Sequence, residues 1–172
     1  MRPGPQFSLV LALLSIGVLS RTTHAQAYVP TNYPTISAAL ASGAPDIRVL
    51  PGTYVENLVI NRPVLVRGQG GPVVVQGNVT ATSFTPHDAA RIQALHITGD
   101  VIVQTFYSDS FTIDGCRVEG RISQGGSTNE TGQFRLMDSV VDGGVDLSPQ
   151  LAFYLSSTIL GGLKTGFEND LF

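Results

Sequence analysis

Charged side chains recur beside regularly spaced glycines in the second half of the chain, and their types could support chemistry. They flank Gly99, Gly120 and Gly143, and they comprise Asp100, Glu119, Arg121 and Asp142. Because alternate residues of a strand point to the same face, these side chains are predicted to face outward together. Stacked coils lie roughly 5 Å apart, so Glu119 is expected beside Asp142, and Arg121 beside Asp100.

Two carboxylates at that separation can act as acid and nucleophile in retaining glycoside hydrolysis, or can bind a divalent cation. The simpler interpretation is a solvated strand face on which Asp100 and Arg121 form an ion pair of little energetic value. Under that interpretation the sequence identifies no catalytic residues, and we expect neither a metal nor a cofactor. His96 is placed in an outward column without a carboxylate partner for general-base catalysis. The other members of its column are Arg117, Val140 and Thr158.

A repeat must position these residues. Four copies, beginning at Ile92, Ile113, Leu136 and Tyr154, share the order apolar, small or apolar, apolar, Gly, apolar. Their glycines lie 21, 23 and 18 residues apart (99 to 120, 120 to 143 and 143 to 161). A period near twenty with internal alternation is typical of a coiled β-solenoid. The predicted inward columns are Ile92/Ile113/Leu136/Tyr154, Ile97/Val118/Val141/Ile159 and Val101/Ile122/Val145/Leu163.

The glycines are predicted to share one corner, where a Cβ would crowd the bend. A leucine-rich repeat has a similar period, but it needs Asn three positions after its last Leu. The chain has Asp100, Arg121, Gly144 and Gly162 at those positions, so the β-solenoid is favoured. Cys116 is the only cysteine, which excludes an intrachain disulfide. Its repeat position predicts a small, inward packing residue.

Residues 1–27 are predicted to be a secretory signal peptide. Arg2 precedes the apolar run of residues 7–19, and Ala25-Gln26-Ala27 fits a small-x-small cleavage site. The run is shorter than the ~20 residues that span a bilayer, and no later apolar stretch is longer. We therefore expect a secreted protein (extracellular, periplasmic or cell-surface) with a single domain at 28–172. Removing residues 1–27 changes the formal net charge from −3 to −5, which argues against nucleic acid or an anionic membrane as a partner.

The domain is predicted to open with a cap. Residues 34–42 form a helix that places Ile36, Ala39 and Leu40 on one face and ends at Gly43. Strands follow at 46–50, 58–60, 64–66 and 73–75. A helix at this end would cover the first coil and block edge-to-edge association.

The same region resembles a known family. Tyr33-Pro34-Thr35-Ile36, the stretch Ile47-Arg48-Val49-Leu50-Pro51-Gly52-Thr53-Tyr54-Val55-Glu56, and Val64-Leu65-Val66-Arg67-Gly68 look like the start of pectin-lyase-like proteins. Those chains open with a capping helix, a strand, a Pro/Ala-Gly-x-Tyr-x-Glu turn and an apolar strand that leads to a Gly. The resemblance covers 29–70 by motif and 90–163 by repeat. It implies an all-β, right-handed parallel β-helix (β-solenoid) with a short N-terminal capping helix.

The resemblance does not imply one activity, because that family includes lyases, hydrolases, esterases, epimerases and proteins without known catalysis. The Asp and Gln stretches of pectin methylesterase relatives are absent, and so is the Gly-His-Gly step of polygalacturonase relatives. The Asp residues do not match the calcium motif of pectate lyase relatives. We therefore expect a non-catalytic module that binds polysaccharide or another envelope component, or serves as a surface scaffold. The alternative is a carbohydrate-active enzyme (lyase, hydrolase or esterase) that uses Glu119 and Asp142.

Two further expectations concern the aromatic residues and the chain end. Phe106-Tyr107 and Phe153-Tyr154 could offer stacking platforms for sugars, but the repeat assigns Tyr154 to the core. Phe111 and Phe134 are expected to pack just inside a strand start. Residues 166–172 show no capping element, so the sequence is expected either to be truncated at its C-terminus or to associate end to end.

Overall fold

A computed structural model describes residues 26–82, 88–104, 110–125, 132–147 and 152–165. Over these ranges the chain winds into about six coils of stacked parallel strands. The expected all-β parallel β-helix with a short N-terminal helix is confirmed. Within the same ranges, no helix has the length and apolar character needed to cross a membrane. Residues 1–25 of the expected signal peptide lie outside the described residues.

Each coil contributes strands in chain order. β1 (Gln26–Val29) and α1 (Ile36–Ala41) precede the first coil, which contains β2 (Asp46–Val49), β3 (Gly52–Tyr54) and β4 (Leu58–Ile60). The second coil contains β5 (Val64–Gly68), β6 (Val73–Val75) and β7 (Val79–Ala81), and the third contains β8 (Ala89–Gln93), β9 (His96–Ile97) and β10 (Val101–Gln104). The fourth contains β11 (Ser110–Asp114), β12 (Arg117–Val118) and β13 (Ile122–Gly125). The fifth contains β14 (Gln133–Val141) and β15 (Val145–Leu147), and the sixth contains β16 (Ala152–Ile159) and β17 (Leu163–Thr165).

The coils stack to form three faces. Face 1 is made of β1, β2, β5, β8, β11 and the first parts of β14 and β16. Face 2 is made of β3, β6, β9, β12 and the last parts of β14 and β16, and face 3 of β4, β7, β10, β13, β15 and β17. Parallel pairing repeats the same residue position from coil to coil, so side chains form columns that run along the solenoid axis.

Two of the three predicted inward columns are confirmed in full. Val118 pairs with Ile97 and Val141, and Val141 pairs with Ile159. On face 3, Ile122 pairs with Val101 and Val145, and Val145 pairs with Leu163. The members of these columns are fully buried through the fifth coil, which supplies the apolar core that no single coil could form.

The first inward column ends differently from the prediction, because Leu155 and not Tyr154 pairs with Leu136. Three coils turn from face 1 to face 2 through a residue with left-handed φ, namely Ala94 (55°), Gly115 (57°) and Asp138 (46°). The sixth coil has one residue fewer at this corner, and the register shifts between Met137 and Val140. The placement of Tyr154 in the core is therefore wrong, and its side chain is 59% exposed.

The other predicted core residues lie inside the solenoid. Phe111 and Phe134 are fully buried, with ring centroids 6.3 Å apart. Cys116 is 3% exposed, as predicted for a packing residue. Burial raises the pKa of its thiol to about 11, so the thiol is protonated and unreactive near neutral pH.

The predicted glycine corner is also confirmed, and Gly77 extends it by one coil. The amide of Gly143 donates to the carbonyl of Gly120 at 3.1 Å, and the amide of Gly99 to that of Gly77 at 3.2 Å. A Cβ added to Gly99 or Gly143 would lie 2.5 Å from the carbonyl oxygen of the preceding glycine. The backbones are therefore too close for any side chain at this corner.

Helix α1 covers the first coil as predicted. Thr35 is its N-cap and accepts from the amide of Ala38 at 3.0 Å, while Ile36, Ala39 and Leu40 are buried. The helix has only six residues, too few to be stable alone, so contacts with the first coil must hold it.

Two charged residues that follow β3 and β4 provide those contacts. The carboxylate of Glu56 accepts from the amides of Ile36 and Ser37, both at 2.8 Å. The guanidinium of Arg62 donates to the carbonyls of Leu40 and Ala44 at 3.0 and 2.8 Å. An anion at the helix N-terminus and a cation at its C-terminus both complement the helix dipole.

The glycine corner yields a stability prediction. We expect Gly120→Ala to lower the free energy of unfolding by about 3 kcal/mol or more, because the new Cβ overlaps the carbonyl of Gly99 and the backbone cannot retreat. Gly125→Ala is the matched control. Its Cβ would meet side-chain atoms and no backbone, Cγ2 of Ile102 at 3.0 Å and Cγ of Gln104 at 3.8 Å. Chemical denaturation followed by circular dichroism measures both, and equal losses would contradict the stacked corner.

Candidate functional site

The carboxylates of face 2 occupy the positions that the repeat predicts. Glu119 donates its amide to the carbonyl of Ile97 at 2.9 Å, and Asp142 to that of Val118 at 2.8 Å. The two residues therefore lie in one outward column, on adjacent coils. Their side chains are 45% and 24% exposed.

Each of these carboxylates has a basic partner on the preceding coil. Oε1 of Glu119 lies 2.8 Å from Nε2 of His96, and Oδ2 of Asp142 lies 2.9 Å from a guanidinium nitrogen of Arg117. The expectation that His96 lacks a carboxylate partner is therefore wrong. The prediction placed together only residues at the same position of the repeat. Each of these pairs instead joins a residue to one that lies on the next coil and two positions further along the strand.

This arrangement gives two parallel surface contacts, a hydrogen bond between His96 and Glu119 and an ion pair between Arg117 and Asp142. Retaining hydrolysis needs one protonated carboxyl and one ionised carboxylate, but here both carboxylates contact a basic side chain. Within the described ranges, no three His, Cys, Asp or Glu side chains are grouped so that they could hold a metal ion.

Asp100 and Arg121 are neighbours, but they interact differently from the prediction. Oδ1 of Asp100 accepts from the backbone amide of Arg121 at 2.8 Å. The guanidinium of Arg121 instead lies 3.8 Å from the carboxylate of Asp146. The expected side-chain ion pair between Asp100 and Arg121 is therefore replaced by a contact to the backbone.

The contact belongs to a ladder beside the glycine corner. Oδ1 of Asn57 accepts from the amide of Asn78 at 2.8 Å, and Oδ1 of Asn78 accepts from the amide of Asp100 at 2.9 Å. Each ladder residue directly precedes a face 3 strand. Their spacing of 21 and 22 residues is a signal that the sequence analysis missed. Asp100 therefore fixes the corner between coils.

A different surface, on face 1, collects residues that can bind an anionic ligand. Its outward positions carry what we call the Arg–Tyr surface: Tyr28, Arg48, Arg67, Arg91, Arg135 and Tyr154. The paired positions of this face include two aspartates, Asp46 and Asp114. Four arginines against two aspartates leave a positive face on a chain whose formal net charge is −3.

Positive charge is concentrated at the first two coils. Arg48 and Arg67 are paired across β2 and β5, and like charges in that relation repel. Asp46 bridges them, with Oδ2 2.8 Å from Arg67 and 3.5 Å from Arg48. One carboxylate thus serves two guanidinium groups, and Arg48 also lies 5.7 Å from the ring centroid of Tyr28.

The surface continues along the next three coils. Arg91 forms an ion pair with Asp114, which also accepts from Nε2 of Gln93 at 3.0 Å. Among the described residues, Arg135 forms no ion pair and donates to Oε1 of Gln133 at 2.9 Å. Its guanidinium is therefore available to an incoming carboxylate or sulfate, for which the planar fork of Arg is well suited.

A shallow depression ends the Arg–Tyr surface. Arg135, Met137, Tyr154, Leu155 and Ser156 line a space of about 580 Å³. The guanidinium of Arg135 lies 5.5 Å from the ring centroid of Tyr154, and the exposed ring offers an apolar platform with a polar edge. This combination can stack a sugar ring and pair with an acidic substituent. Phe106 and Tyr107 lie outside the described residues, as does the side chain of Phe153.

No known protein family, curated protein or solved structure matches the chain. The functional argument therefore depends on the surfaces of the solenoid.

The ladder at Asp100 yields a prediction that separates it from an ion pair. Asp100→Asn keeps the Oδ1 acceptor, so we expect little change in the free energy of unfolding. Asp100→Ala removes the acceptor and should lower that free energy by about 1–2 kcal/mol. Urea denaturation of both variants is the measurement. If Asp100→Asn lowered the free energy of unfolding as much as Asp100→Ala, the carboxylate charge and not the hydrogen bond to the backbone would be the stabilising feature.

Proposed function

We propose that the protein is a secreted, non-catalytic β-helix module that binds an acidic polysaccharide of the cell envelope or surroundings along face 1. The observation that carries this proposal is the Arg–Tyr surface. An arginine occurs on each of the first, second, third and fifth coils, and a tyrosine lies at each end. A polymer aligned with the solenoid axis would meet a guanidinium on four of the six coils, in two neighbouring columns of face 1, with successive coils roughly 4.8 Å apart.

The geometry favours a polymer over a small molecule. The arginines lie on the outer side of stacked parallel strands on several coils, so binding energy along this face would come from many weak contacts with a chain. Guanidinium groups pair with carboxylates and sulfates, while exposed aromatic rings stack on sugars. Both kinds of contact are repeated along face 1, which supports a chain of acidic sugars as the ligand class.

Face 2 supports the alternative of a carbohydrate-active enzyme less well. Its favourable feature is the position of Glu119 and Asp142 on adjacent coils. Glu119 is hydrogen-bonded to His96, and Asp142 forms an ion pair with Arg117. We therefore give the pair a structural role, and the assay below includes a test for catalysis.

We also propose a divergent relationship to pectin-lyase-like proteins, which the roles of the turn residues that carry the resemblance support. Tyr54 donates its hydroxyl to the carbonyl of Leu50 at 2.9 Å, and Glu56 caps α1. The motif that carries the resemblance thus attaches the capping helix to the first coil. Because these turn residues stabilise the fold and take no part in a reaction, the same turn can occur in family members with different activities.

Binding and its location are tested with polygalacturonate and a neutral glucan. We expect the protein to bind polygalacturonate in a salt-sensitive manner and to ignore the glucan. Arg91→Ala and Arg135→Ala should each weaken binding about tenfold, the equivalent of roughly 1.4 kcal/mol, when measured by isothermal titration calorimetry. Tyr154→Ala should weaken it by removing the stacking platform.

Arg117→Ala is the matched control, since it removes the same charge from face 2. A loss as large as that of Arg91→Ala would indicate binding to net charge and contradict a face 1 site. Release of reducing or unsaturated sugars by the wild type, abolished in Glu119→Gln and Asp142→Asn, would replace the non-catalytic proposal with the enzyme.

Secretion gives a prediction about the mature N-terminus. β1 begins at Gln26, and Ala27 is 1% exposed and pairs with Ile47. Cleavage after Ala27 would remove half of this strand, whereas Thr23-His24-Ala25 offers a similar small-residue site. We expect N-terminal sequencing of the secreted protein to start at Gln26. A mature chain that starts at Tyr28 would contradict an essential role of the first half of β1.

A further inference from the structure

The ladder beside the glycine corner changes at the fourth coil. On the first three coils its residues are Asn57, Asn78 and Asp100, and each offers Oδ1 to the amide of the ladder residue on the next coil. Arg121 occupies the same position on the fourth coil, directly before β13, and Gly144 occupies it on the fifth, directly before β15. An arginine side chain has donors and no acceptor, so the ladder cannot continue from Arg121 to Gly144.

The amide of Gly144 therefore lacks the acceptor that the repeat provides elsewhere. Gly144 is buried, and no backbone or side-chain oxygen of the described residues accepts a hydrogen bond from its N–H. One coil earlier, the amide of Arg121 donates to Oδ1 of Asp100 at 2.8 Å. A buried N–H group without a partner is rare in folded proteins, and it calls for an acceptor such as an ordered water or an ion.

A small pocket opens beside this amide, at the corner between faces 2 and 3. Its lining includes Arg121, Gly144, Asp146 and Lys164, and its volume is about 20 Å³. That volume is enough for one water-sized group, such as one oxygen atom of a small anion. We call this space the corner pocket.

The charges that line the corner pocket favour an anion over a cation. The guanidinium of Arg121 makes no hydrogen bond within the described part of the chain, since its contact with Asp146 is 3.8 Å long, beyond hydrogen-bond distance. Lys164 is paired with Asp146 across β15 and β17 and adds a second positive charge. Two cationic side chains and one buried amide thus stand against one carboxylate, so donors exceed acceptors around the pocket.

We propose that the corner pocket binds a small oxyanion of the sulfate or phosphate type. One oxygen accepts from the amide of Gly144, as Oδ1 of Asp100 accepts from the amide of Arg121. The planar guanidinium of Arg121 donates to the remaining oxygens, for which its geometry is well suited, and Lys164 contributes a point charge. The bound anion continues the ladder where the sequence interrupts it, and so fastens the fifth coil to the fourth. This site is separate from the Arg–Tyr surface and does not depend on the proposed function.

Amide NMR spectroscopy of the isotope-labelled full chain, titrated with inorganic sulfate, tests the pocket directly. The Gly144 amide should shift to a saturating value with a Kd on the order of 1 mM. The Asp100 amide should stay constant, because Asn78 already provides its acceptor. Sodium chloride at matched ionic strength separates binding from screening. A Gly144 amide that ignores sulfate, or that responds equally to chloride, overturns the proposal.

Arg121→Asn tests the role of the missing acceptor. Its Oδ1 can accept from the amide of Gly144, as that of Asn78 accepts from Asp100, so the chain itself would complete the ladder. We expect this variant to bind sulfate about tenfold more weakly than the wild type. In urea denaturation without sulfate, it should unfold at a higher urea concentration than the wild type. Undiminished sulfate binding by the folded variant overturns the proposal.

Two further variants separate the pocket from net charge. Arg117→Asn removes the same charge from face 2 and should bind sulfate within about twofold of the wild type. Asp146→Asn removes the acid from the described lining and should bind sulfate more tightly. If Arg117→Asn weakened binding as much as Arg121→Asn, the protein would be responding to its net charge, and the corner pocket would be rejected.

Discussion

The close approach of backbones at the glycine corner is the constraint on which the solenoid depends. Gly77, Gly99, Gly120, Gly143 and Gly161 stack so closely that a Cβ on any one of them would meet the backbone of a neighbouring coil. Asn57, Asn78 and Asp100 hold the same corner through side-chain contacts to backbone amides. Because strand side chains alternate with a period of two, a slip of one residue would exchange the inside and the outside. The corner therefore determines which residues form each surface.

The parts of the fold that were predictable from sequence are those that this constraint repeats. The glycines, the columns of Ile97 and Val101, and the capping helix all follow from residue type and spacing. The prediction was wrong at Tyr154, because the sixth coil lacks the left-handed corner residue that Ala94, Gly115 and Asp138 provide. The sequence pattern counts fixed offsets back from each glycine. It therefore cannot detect that one residue is missing from the corner of the sixth coil.

The outward residues were harder to predict, since nothing in the backbone repeat determines them. Glu119 and Asp142 were assigned to one column correctly, but their partners lie diagonally across coils. On face 1, Arg48, Arg67 and Arg91 come from strands whose outward residues share no motif. Only the strand register of the structure shows that they lie on adjacent coils. A chain of net negative charge can therefore still present a positive surface.

The proposed ligand has a physical consequence for the sixth coil. Among the described residues, β16 and β17 pair with the fifth coil alone, and a coil with one stacking neighbour is less stable than a coil with two. Tyr154 belongs to the sixth coil and also ends the Arg–Tyr surface. A polymer bound along face 1 would contact Tyr154 together with the arginines of earlier coils. Because such a ligand binds the folded form alone, binding would also stabilise this coil.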